Sequence, residues 1–76
     1  MNANEQERFE LEAAIVSVVV PREKSKYYIG AHGRFSDFKD FDTARMTRDF
    51  SKEFPTVPEE EIRGMINVAI YHHYLR

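Results

Sequence analysis

The chain has 76 residues, 42 % of them hydrophobic and 32 % charged, with no cysteine and a net charge of −2. That balance describes one small globular domain and excludes a disulfide framework, a thiolate nucleophile and thiolate metal ligation. No stretch approaches the roughly 18 apolar residues of a membrane helix, and the apolar run from Ala13 to Val20 follows acidic rather than basic residues, so the expected setting is cytoplasmic with no secretory leader.

Residues 1–8 are polar and lack an apolar anchor, which predicts a flexible, disordered N-terminal arm ahead of a single domain spanning residues 9–76. From Phe9 to Ala13 the pattern is two-sided. Apolar and polar residues alternate as in a half-buried strand, yet Asn4 followed by Glu7 also reads as a helix cap, and Glu, Gln, Leu and Ala are good helix formers. The continuation Ile15-Val16-Ser17-Val18-Val19-Val20 holds five β-branched apolar residues in six, which favours a strand ending at Pro21.

A charged connector follows, and Lys26 to Phe35 alternates again. Tyr27, Ile29, Ala31, Gly33 and Phe35 face one way; Tyr28, Gly30, His32 and Arg34 face the other. This predicts a second strand pairing with the first in an antiparallel hairpin, with Gly30 and Gly33 marking a bulge or a close backbone approach. Tyr28, His32 and Arg34 would then share a solvent-facing surface, and tyrosine and arginine are frequent interface anchors.

The two C-terminal helices are signposted more plainly. Asp42 is placed to cap a helix in which Thr43, Met46, Thr47, Phe50 and Phe54 form one stripe, and Pro55 stops it. Thr56-Val57-Pro58-Glu59 reads as a capping box with proline in the first turn, followed by Glu60 and Glu61 at the positive end of a helix reaching Leu75. On that helix Ile62, Met65, Ile66, Ala69 and His73 make an inward stripe, while Val68, Tyr71 and Leu75 lie on the far side as a candidate partner-binding surface. The expected fold class is therefore α+β: a two-stranded antiparallel hairpin packed on two C-terminal helices.

Chemistry-bearing patterns are sparse. His72 and His73 are adjacent, so a helix splays them and they cannot chelate one ion together; no metal and no cofactor is expected. No serine sits in a nucleophile elbow, and the three glutamates at 59–61 answer to the helix dipole, so the chain does not read as an enzyme. Charge is uneven along the sequence, with four Glu against Arg8 before Pro21, then five cations against two acids from Pro21 to Lys39.

Within that basic stretch, Val19-Val20-Pro21 followed by Ile29-Gly30-Ala31-His32-Gly33 resembles the opening of a KH domain. The resemblance implies a Gly-x-x-G loop clamping single-stranded nucleic acid, with Gly30 and Gly33 admitting phosphates and Lys24, Lys26 and Arg34 around them. It covers about 20 residues; the family has an aliphatic residue where this chain has Ser36, and strands downstream where helices are expected here. The leading expectation is a non-enzymatic protein-interaction module that docks on a larger protein as an inhibitor or adaptor. Single-stranded nucleic-acid binding and a homodimer through the last helix are the alternatives.

Overall fold

Leu11, Ile15 and Val19 recur every four residues, and all three side chains are buried on one face of a 15-residue helix, α1 (Glu5–Val19). The structure, a computed structural model, describes residues 5–21, 24–29 and 40–75 of the chain, apart from the side chain of Leu75. Two further helices follow, α2 (Thr43–Glu53) and α3 (Glu59–Ile70), and α3 runs on into a wider π-helical turn, Tyr71–Leu75. No strand is formed among the described residues, so the expected α+β hairpin gives way to an all-helical arrangement.

Magnitudes explain why α1 overrides its β-branched composition. Helix propensity costs at most about 0.7 kcal/mol for each such residue relative to alanine. Burying Leu11, Ile15 and Val19 against α3 contributes about 1.5–3 kcal/mol apiece as an upper estimate. Tertiary burial wins. Residues 5–8 of the expected arm belong to the helix, and residues 1–4 lie outside the described residues. Glu5 and Glu7 occupy its first turn, where carboxylates suit the positive end of the dipole.

The described part of the segment expected as a second strand, residues 26–29, pairs elsewhere, and the rest of that segment lies outside the described residues. The amide of Ile29 donates to the Asp40 carbonyl and that of Asp42 to the Tyr27 carbonyl, both at 2.7 Å, making a single antiparallel bridge between Tyr28 and Phe41. This short clasp ties residues 27–29 to the entrance of α2. Tyr27 and Phe41 are buried, and the Tyr28 ring meets Phe41 edge-on at 5.5 Å.

The α2 start is built as its sequence predicts: the Asp42 carboxylate accepts the Arg45 amide at 3.2 Å, and Met46, Thr47 and Phe50 are buried. The α3 start differs. Pro58 is its N-cap and makes no side-chain cap hydrogen bond, while the Thr56 hydroxyl donates instead to the Glu7 carboxylate on α1. The expected capping box is thus replaced by a tie between elements.

Helix α3 packs against both α1 and α2, and Ile62, Ile66 and Ile70 form the spine of the core. Arg8 meets Glu61 near the two helix starts, and Tyr74 meets Val19 near the two ends, so α1 and α3 run parallel. No helix of the described residues is long and apolar enough to cross a membrane.

Candidate docking groove

Because α1 and α3 lie side by side, their outward faces border a common furrow. On α1 the outward residues are Phe9, Ala13 and Val16, spaced by four and three, which is one face of a helix. On α3 they are Gly64, Met65, Val68 and Ala69. One part has a volume of about 590 Å³ and two adjoining hollows extend it along α1; all three share Glu12. Phe9 is 70 % exposed and Val68 67 % exposed, so two large apolar side chains stand at its edges in water.

Gly64 is a feature of this wall that the fold does not require. A Cβ added there meets nothing within 4 Å, so no internal contact demands the absence of a side chain. Glycine inside a helix is nevertheless among the poorest choices, at about 1 kcal/mol against alanine.

Polar groups gather at the two ends of the furrow. At the helix starts, Arg8 grips Glu61 through two hydrogen bonds, Nε to Oε2 at 2.7 Å and an Nη donor to Oε1 at 3.1 Å. That hydrogen bonding, with the attraction of the opposite charge, holds the Glu61 carboxyl below its ordinary range and raises the Arg8 guanidinium above its own. Glu5 and Glu12 stand nearby, and no cation among the described residues pairs with either. At the opposite end are His72 and His73, stacked edge to face at 5.3 Å and both exposed, so His73 is not the half-buried inward residue its sequence position implies.

The expected partner-binding residues fall into separate places. Val68 lines the groove, and Tyr71, 55 % exposed, follows one turn later; Leu75 closes the π-helical turn. Tyr28 is half-buried against the core beside Phe41 rather than on an open sheet face. His32 and Arg34 lie outside the described residues, as do Gly30 and Gly33. Lys24 and Lys26 are exposed, and the Lys26 ammonium sits 5.2 Å from the centroid of the Tyr27 ring. The strands that a KH domain places downstream are absent from the described residues, where α2 and α3 stand instead.

Sequence reasoning missed Phe9, Ala13, Val16 and Met65 as groove residues. The signal was there in α1, whose apolar residues surround the helix axis, but it is visible only once α1 is read as a helix. Beneath the other side of the molecule, the Tyr27 hydroxyl donates to Asp49 at 2.8 Å, and burial, reinforced by that carboxylate, pushes its pKa up to about 12. Among the described residues no three of His, Asp and Glu are grouped to hold a metal ion. Compared with protein-family models, with curated proteins and with solved structures, the chain gives no match.

Proposed function

We propose that the chain is a non-enzymatic interaction module that docks on a larger protein through the α1–α3 groove and regulates it. The observation that carries this reading is that Phe9 and Val68, both largely exposed, line adjoining hollows whose other apolar residues include Ala13, Val16, Met65 and Ala69. Apolar side chains left in water along a concave face lower the free energy of association when a partner covers them, and helix-in-groove recognition uses this arrangement. The core does not need them: Leu11, Ile15 and Val19 already fill the inner face of α1.

A cytoplasmic setting agrees with the lack of cysteine, since stabilising disulfides belong to oxidising compartments. The test is capture of partners from the native cell by the intact chain and by Val68→Asp and Phe9→Asp, with Ile29→Ser as a control on an exposed residue outside the groove. The expected result is one protein recovered by the parent chain and by Ile29→Ser and lost with both groove variants, while far-ultraviolet circular dichroism stays unchanged. Equal recovery by all four chains overturns the reading.

A further inference from the structure

Resting on that docking reading, we propose that the occupant of the groove is a partner's α-helix, lying antiparallel to α1 and α3 and carrying lysine or arginine in its last turn. The argument starts from the direction of the two walls. Since α1 and α3 run parallel, their starts share one end of the groove and their terminal turns the other. The first end holds Glu5, with Glu12 two turns further along α1; neither is paired with a cation among the described residues, while Arg8 is already engaged by Glu61. The second end holds His72 and His73; the carboxylates that border the same hollow are Glu12, at the middle of α1, and Glu61, at the start of α3 and already engaged by Arg8.

An antiparallel helix matches both ends. Its own dipole opposes those of the two walls, and cations in its last turn meet Glu5 and Glu12. A parallel helix stacks three dipoles in the same sense and presents its last turn to the histidines. Length follows from the wall: Glu61 to His73 spans about 18 Å of helix, which a partner of about 12 residues covers.

Gly64 is the independent observation. A helix-weakening residue whose absent side chain leaves only open space on the groove wall is explained by a backbone that approaches from outside. Seated between Phe9 and Val68, the occupant would cross Gly64 at close range, so small or medium apolar residues on its contacting face fit best.

The test is a displayed library of amphipathic helices about 12 residues long, with randomised charged positions, selected against the purified chain. The expected winners carry Lys or Arg in the last turn and bind about tenfold or more tightly than the same helices with those cations moved to the first turn. Glu12→Lys should remove that preference, added salt should weaken it, and Gly64→Leu should weaken binding by about tenfold or more while the circular dichroism of the chain is retained. Winners that need Val68 but carry no last-turn cations overturn the orientation and charge assignment and leave the docking reading standing. If no selected helix depends on Val68, both fall. Sedimentation equilibrium that shows a dimer dissociated by Val68→Asp assigns the groove to a second copy and overturns the proposal of a foreign helix.

Discussion

Helices α1 and α2 pack against the same partner, α3, but they treat water differently. Helix α2 buries Met46, Thr47 and Phe50 and turns Arg45, Arg48 and Lys52 outward, so its apolar stripe and its contact with the core are the same size. Helix α1 buries Leu11, Ile15 and Val19 and then repeats the chemistry on its outer side with Phe9, Ala13 and Val16. A helix that only needs to hold a small core together looks like α2. The core does not account for the second apolar face of α1, and the contrast separates residues that stabilise the fold from residues proposed to bind.

The widest gap between those two classes should appear on α3, where Ile66 and Val68 are two residues apart. Ile66→Ala removes a fully buried side chain and is expected to cost about 2–5 kcal/mol, comparable to the whole stability of a domain this small. Val68→Ala should stay within about 0.5 kcal/mol. Urea denaturation followed by circular dichroism measures both, and a large loss from Val68→Ala would show that the groove wall is structural.

Helix caps come next. Asp42→Ala takes away the acceptor of the Arg45 amide and should lower stability by about 1 kcal/mol, with the same urea midpoints as readout. On the other helix wall the sign reverses. Gly64→Ala fits open space and is expected to stabilise by about 0.5–1 kcal/mol, because alanine restricts the unfolded chain and favours the helix. A loss instead would mean that the wall is crowded from within.

Two pH effects complete the comparison. Tyr27 has a folded pKa of about 12 against an ordinary 10.0, so the neutral phenol is favoured by folding. That contribution is complete below pH 10 and is lost as pH rises toward about 12; Tyr27→Phe should flatten stability across that window. For Glu61 the shift is downward, through the hydrogen bonds from Arg8, so its contribution is present above the ordinary glutamate range and lost as pH falls through the lowered value. The pair is half-exposed, and Glu61→Gln should change the midpoint least of all these variants, with the difference from the parent vanishing in acid.

Much of α2 and α3 was legible because their signals are local. Asp42, Pro55 and Pro58 sit at boundaries, and the stripes Met46–Phe50 and Ile62–Ile66 repeat at helical spacing. Helix α1 was not legible, because two apolar faces superimposed on one helix leave no period, and five β-branched residues in a row of six then tilt the reading toward a strand. What decides it is α3, roughly fifty residues downstream. The same non-local choice hid half the groove: Val68 could be seen opposite Ile62 and Ile66, but Phe9 and Val16 had no helix to stand on. Residue 28 failed for a related reason, since segment 27–29 pairs with 40–42 and carries Tyr28 toward Phe41.

Tyr74 gives α1 a dependence on time. Its hydroxyl donates to the carbonyl of Val19 at 2.5 Å and lies 2.7 Å from that of Val20, capping the last turn of α1 from 55 positions further along the chain. A 15-residue helix is marginal by itself in water. At synthesis rates of about 5–20 residues per second, Val19 is joined to the chain roughly 3–11 seconds before Tyr74. Until α3 and its π-helical turn follow, both apolar faces of α1 lack their native cover, and their arrival closes the inner face while the outer one stays exposed.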